Sequence, residues 1–239
     1  LLLAVALREA AAFARLARLD ALHGEAARAV SSGELSEARA VVDRLLALYR
    51  GRAELRLGAE AVARGRAEVF DAPALFALTE ARLMAPLDAA AMREIESAAR
   101  QVATVTALVP LAFADVIAAL TANLRMIRRI AEIYGGRSGA LGAWRLTRAV
   151  LTHLVATGAV AVGDDLLGSV AGGSILARVS RRFGEGVVNG ALTARVGVAA
   201  MEVCRPLPFG PGRRPSVTGL VRRALTGLFP ARAEPRDDG

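Results

Sequence analysis

The 21 residues from Val102 to Ala122 carry one charge, Asp115. A run so apolar has to leave water, either for a protein core or for a bilayer. Its length suits a transmembrane helix, which needs about 20 residues to cross a hydrocarbon layer of roughly 30 Å. Three features favour a buried core helix or a re-entrant hairpin. Pro110 breaks or kinks a helix at its middle. Asp115 would need a partner inside hydrocarbon. Arg is dense on both flanks, with Arg93 and Arg100 before the run and Arg125, Arg128, Arg129 and Arg137 after it. A single crossing would put one of these basic halves outside, against the positive-inside tendency.

The rest of the 239-residue chain is nearly as apolar. Hydrophobic residues make up 54% and mean hydropathy is +0.39, yet aromatics are only 4%. The apolar mass is therefore Ala, Val and Leu, which suits closely packed helices better than a sheet of β-branched and aromatic residues. An all-α fold is expected. All 31 basic residues are Arg, net charge is +8 and the isoelectric point is about 11.2. Such a charge fits nucleic acid or an anionic membrane surface. No Arg-rich stretch carries the interleaved aromatics of a base-stacking platform, so nucleic acid is not expected and a negative leaflet is. The single cysteine, Cys204, excludes an intrachain disulfide and fits a reducing compartment. Two histidines without a Cys or carboxylate ligand set do not make a zinc site.

Breakers divide the chain into helices. Phe13–Val30 reads as the first, ended at Ser31-Ser32-Gly33-Glu34, where Ser31 and Glu34 have capping-box spacing. In the second, Leu35, Ala38, Val42, Leu45 and Tyr49 form a two-heptad seam suited to an antiparallel partner. Gly51, Gly58 and Gly65 punctuate a third. Asp71 with Pro73 starts a fourth, and Pro86–Asp88 a fifth. After the apolar run, Asn123–Tyr134 stops at Gly135-Gly136. Leu141–Ala156, Ser174–Phe183 and Glu185–Val203 follow, and Pro206 and Pro208 end helical structure. Gly210–Pro215 reads as a linker, Val217–Phe229 as a short amphipathic helix, and Pro230–Gly239 as a disordered polar tail. Four regions result: residues 1–13, whose apolar LLLAVAL suits a cleaved signal remnant, a helix start or the last turns of a membrane helix; 14–100, a helical arm; 101–209, an apolar helical core domain; and 210–239, the linker, short helix and tail.

Few constellations carry chemistry. GEGVVNG at Gly184–Gly190 lacks the Lys of a phosphate-binding loop, and no strand precedes it as a dinucleotide fingerprint requires. Its glycines suit packing, since Gly186, Gly190 and Ala194 recur every four residues and let another helix approach closely. Gly168 and Gly172 repeat that spacing. Beside the stripe, Glu185, Asn189 and Thr193 align at the same step, with Arg195, Glu202 and Arg205 further on. This polar face reads either as an ion-pair network that sets helix register or as a surface recognising a partner, and the apolar neighbours Val187, Val188, Leu192, Val196 and Val198 favour the first. Asp164-Asp165 reads as a helix cap, because adjacent helical residues diverge by about 100° and rarely share an ion. His23, His153 and Cys204 read as packed core or interface residues. No catalytic, cofactor-binding or metal-binding residue is assigned.

NLRMIRRIAEIYG (Asn123–Gly135), RLTRAVLTHLVATGAVAVGDDLL (Arg145–Leu167) and GEGVVNGALTARVGVAAMEVCRPLPF (Gly184–Phe209) together resemble the YcjF family, uncharacterised bacterial inner-membrane proteins. The resemblance implies two membrane spans just before an Arg-rich helix. Leu1–Leu7, followed by Arg8, Arg15 and Arg18, then reads as the stub of the second span, with most of the chain cytoplasmic. It also implies a partner, a YcjX-like predicted P-loop nucleotidase linked to stress responses. The expected function is a membrane-tethered, non-enzymatic interaction or scaffold protein. The alternative is a channel-like or membrane-remodelling protein in which Val102–Ala122 and Val150–Val170 insert. A homo-oligomer stays open.

Overall fold

A computed structural model describes residues 18–108, 112–136, 140–157 and 175–226. The fold is all-α, with no strand among the described residues. Helix α1 (18–32) and α2 (Leu35–Leu48) lead through a 3-10 turn at Ala53–Leu55 to α3 (Arg56–Gly65) and α4 (Ala72–Thr79). A π turn at Glu80–Met84 joins α4 to α5 (Ala85–Leu108). Then come α6 (Ala112–Ile133), α7 (Ala140–Ala156), α8 (Ile175–Cys204) and α9 (Val217–Leu225). Leu1–Leu7, Gly168, Gly172 and Asp164-Asp165 lie outside the described residues, as does most of Val150–Val170.

The α2 seam is buried: Ala38, Val42, Leu45 and Tyr49 are almost inaccessible, with Leu35 partly covered. α2 packs on α4, and its Arg44 pairs with Glu25 of α1. The cap between α1 and α2 differs from the expected Ser31–Glu34 box. Ser31 Oγ bonds back to Ala27 O within its own helix, while Ser32 Oγ accepts from Glu34 N and donates to Glu37 Oε2 at 2.8 Å. Asp71 caps α4 as its sequence suggests, accepting from Ala74 N at 2.7 Å.

The expected helix start at Pro86 is absent, because α4, the π turn and α5 run on without a break. Proline lacks the N–H that would bond the carbonyl four residues back, Arg82 O, and a π turn is one way a helix absorbs that loss. Gly58 of α3 lies against this same carbonyl. A Cβ there would sit 2.1 Å from Arg82 O, so only glycine fits.

The Val102–Ala122 run is divided between two helices, α5 ending at Leu108 and α6 beginning at Ala112. They pack on each other antiparallel, and Tyr134 just past α6 reaches Asp88 near the start of α5. α8 is a single helix where two were expected. It runs through Gly184, a position where an added Cβ would meet nothing within 4 Å. α8 lies antiparallel along α5 in the most extensive helix pair of the molecule. Phe183–Cys204 is long and apolar enough to cross a membrane (mean hydropathy 1.3), but half of that window is buried against the protein. It is a core helix.

The expected boundary between residues 100 and 101 falls inside α5. One hydrophobic core runs from Leu22 to Ala224. α9, expected beyond a linker, docks on α5 and α8 with Leu220 and Ala224 fully buried. Arg100 Nε donates to Ala224 O at 2.8 Å, and Arg223 pairs with Glu96 at 2.6 Å.

Candidate functional site

The small residues of α8 face α5. A Cβ at Gly186 would come 2.7 Å from Ala103 O, and one at Gly190 3.2 Å from Ala99 O. Gly197, which the stripe of four-residue steps skips, is tighter still, with Ile95 Cγ1 at 2.5 Å. The polar residues beside them divide. Asn189 Nδ2 donates to Thr106 Oγ1 at 3.2 Å across the α5–α8 contact. Thr193 is buried, 3.5 Å from Asn123 Nδ2 of α6. Glu185 is exposed and Arg195 half-buried. Glu202 sits between His153 Nε2 of α7 at 2.9 Å and Arg214 Nε at 2.7 Å. Arg205 lies elsewhere, three residues on and just past the end of α8, facing the start of α5.

Arg205 is completely buried, the largest side chain to be so. A guanidinium has five N–H donors, and here each has a partner. Nε donates to Asp88 Oδ1 at 3.0 Å. Nη2 donates to Asp88 Oδ2 and to Glu80 Oε1, both at 3.0 Å. Nη1 donates to Leu207 O and to Pro208 O, the latter at 2.9 Å. The Phe209 ring covers one face, 4.2 Å from the guanidinium carbon. Around this centre, Tyr134 Oη donates to Asp88 Oδ1 at 2.7 Å and Tyr49 Oη to Tyr134 O at 3.1 Å. Gly210 N donates to Glu80 Oε1, and His23 Nδ1 stands 2.7 Å from Arg205 O. Residues from α1, α2, the π turn, α5, the end of α6 and the chain after α8 thus meet at one point.

Glu80 and Asp88 reach one guanidinium because of the π turn. Eight residues of regular α-helix advance about 800°, or roughly 80° past two full turns, which would point the two carboxylates apart. One extra residue in the π turn takes up most of that excess and brings them onto one face. Of the residues in this centre, Arg205 stands out in the sequence as a charge, Tyr49 as a seam residue, Asp88 as a helix start and His23 as a packed residue. Glu80, Tyr134 and Phe209 were missed. The available signal was Arg205 itself, a lone cation set in C-R-P-L-P-F, where prolines leave neighbouring carbonyls without helical partners.

The chain's only two tyrosines are both in this centre. Burial, the main cause, holds both phenols above their ordinary value of 10, and for Tyr134 the Asp88 carboxylate adds to it. The native state therefore keeps these protons where the unfolded chain releases them, so stability falls as pH rises past about 10. An alkaline titration followed by tyrosinate absorbance should show ionisation and loss of helical circular dichroism in one transition. Ionisation well below unfolding would mean that the phenols are accessible. Cys204, buried beside Arg205, has its thiol pushed up to about 12, chiefly by burial and secondly by the Asp20 carboxylate. It should resist thiol reagents at neutral pH until the chain is unfolded.

No group of three or more His, Cys, Asp or Glu able to hold a metal ion occurs among the described residues. The centre is a closed, self-satisfied charge cluster in an all-helical protein. Residues 70–230 match the family model Domain of unknown function (DUF697), and the chain belongs to that family. It is 42% identical over 228 residues to a UPF0283 membrane protein of Rhizobium etli, covering 95% of this chain and 64% of the relative. A UPF0283 membrane protein of Mesorhizobium japonicum is 44% identical over 227 residues, covering 95% and 63%. One of Bradyrhizobium diazoefficiens is 44% identical over 218 residues, covering 91% and 64%. The chain thus spans a little under two thirds of these relatives' length. No solved structure matches it.

Proposed function

We propose that this chain is the helical body of a membrane-tethered, non-enzymatic scaffold protein of the YcjF kind, held at the bacterial inner membrane with most of its mass in the cytoplasm. The observation that carries the reading is the saturation of Arg205. Its five donors, both carboxylates and the ring face are committed to one another, and the side chain is 1% exposed. Catalytic and binding cations keep a donor for the substrate. This one joins the π turn, α5 and the chain after α8 instead. The relatives' name, membrane protein, supports the setting.

The partner we propose is a YcjX-like P-loop nucleotidase acting in a stress response, with the scaffold supplying a membrane address and a docking surface. Tagged full-length protein, purified from its native membrane before and after heat stress, should bring down that nucleotidase. Recovery of the scaffold without it under both conditions would refute the partnership, and turnover of any substrate abolished by a point substitution would refute the non-enzymatic reading. A topology reporter fused after Phe229 should report the cytoplasm, because Arg is dense before and after the α5–α6 pair. Periplasmic activity there would show that the pair crosses.

A further inference from the structure

We propose that the end of the α5–α6–α8 bundle remote from Arg205 seats in the headgroup layer of an anionic bilayer, dipping into one leaflet without crossing it; this rests on the membrane-tethered reading above. Large aliphatic side chains gather there in the open. Leu108, the last residue of α5, is 70% exposed, and on α6 Val116, Ile117 and Leu120 are 65%, 50% and 58% exposed. Phe183 of α8 joins them, beside an apolar cleft of about 180 Å³ between α5 and α8. Contiguous exposed apolar surface of this kind marks an interaction site.

The charge on the same helix selects lipid as the occupant. Among the described residues the outward face of α6 carries Val116, Ile117, Leu120 and Leu124, with one exposed hydroxyl, Thr121, among them, and turns basic at Arg125, Arg128 and Arg129, all exposed. Arg128 and Arg129 share Glu132, yet their side chains remain 53% and 62% exposed. Aliphatic residues at the tip and a collar of Arg one turn behind match acyl chains and anionic headgroups in that order.

The dimensions exclude a crossing by this surface. Val116 to Leu124 rises about 12 Å, against roughly 30 Å of hydrocarbon. That is a little more than the roughly 5–10 Å of interfacial insertion and less than half of the hydrocarbon layer. The α5–α6 pair turns back on itself, so the basic residues of both helices stay on one side.

Fluorescence with the whole chain tests this. Cys204 is buried, so an introduced cysteine takes an environment-sensitive nitrobenzoxadiazole label alone. Leu120→Cys and Ile117→Cys place it at the tip, and Arg213→Cys at the Arg205 end of the bundle. The vesicles are phosphatidylcholine, with or without roughly one third phosphatidylglycerol. Expected is a blue shift and several-fold brighter emission at both tip positions, with no change at position 213. The anionic vesicles should bind roughly a hundredfold better, given three exposed Arg near the surface. Sedimentation with vesicles but unchanged emission at the tip would overturn the inference and leave the tethering reading standing. Equal binding to both vesicle types would overturn the role of the Arg collar. Failure to sediment with either would overturn this inference, whereas loss of the protein from its native membrane fraction is what would remove the tethering reading.

Discussion

Arg205→Ala is expected to destabilise the protein by about 3–5 kcal/mol, the range for removing one partner from a buried ion pair. The loss has two parts. Glu80 and Asp88, whose side chains are only 11% and 14% exposed, would be left facing each other with only the exposed Arg213 near Glu80. The carbonyls of Leu207 and Pro208 would lose their donor, and Phe209 the plane it stacks on. Arg205→Lys keeps the charge but has three donors and no plane, so it should recover only part of the loss. Urea unfolding followed by circular dichroism measures both. Arg213→Ala serves as the control: its side chain is 58% exposed and lies 3.9 Å from the same Glu80, a distance and exposure worth about 0–1 kcal/mol. Equal effects of Arg205→Ala and Arg213→Ala would mean that the cluster is solvated.

Two glycines of α8, two residues apart, should respond with opposite signs. Gly186→Leu places a side chain where a Cβ alone would lie 2.7 Å from the Ala103 carbonyl. A backbone atom inside α5 cannot rotate away, so the helices must separate. Overpacking of this kind costs typically 1–3 kcal/mol, and here it falls on the largest contact of the fold. Gly184→Ala meets nothing within 4 Å and trades a flexible helical residue for the best helix former. A gain of roughly 0.5–1 kcal/mol is expected. Melting temperatures of the two variants should therefore move in opposite directions. A Gly186→Leu protein that melts as the parent does would mean that α5 and α8 are not in close contact there.

The comparison of sequence with structure shows where local reasoning stops. Asp71 was readable as a cap because its bond runs to Ala74, three residues away. The α2 seam was readable because burial repeats along one helix face. The Ser31–Glu34 box failed, since Ser32 one position on makes the competing bonds. The α8 break at Gly184 failed because helix propensity there is overridden by packing along the rest of the helix. Gly58 reads locally as an ordinary breaker, and Gly197 falls outside the four-residue stripe. Their partners, Arg82 O and Ile95, are 24 and 102 positions away in the chain, and no local pattern names them.

The sequence by itself determined that the chain is all helical, where several helices start, and that an apolar run of 21 residues must leave water. Each of these follows from hydrogen bonds and periodicity within a single segment. Only the tertiary structure decided that the run is divided into an antiparallel pair, and that Arg205 closes on Glu80 and Asp88. The second decision turns on one residue. A π turn beside Pro86 adds a residue to the helix and rotates Glu80 and Asp88 onto a common face, and the chain after α8 then brings Arg205 to it across more than a hundred positions. Carboxylate spacing in a regular helix predicts that they diverge, so the centre of this protein could be seen only once its helices were packed.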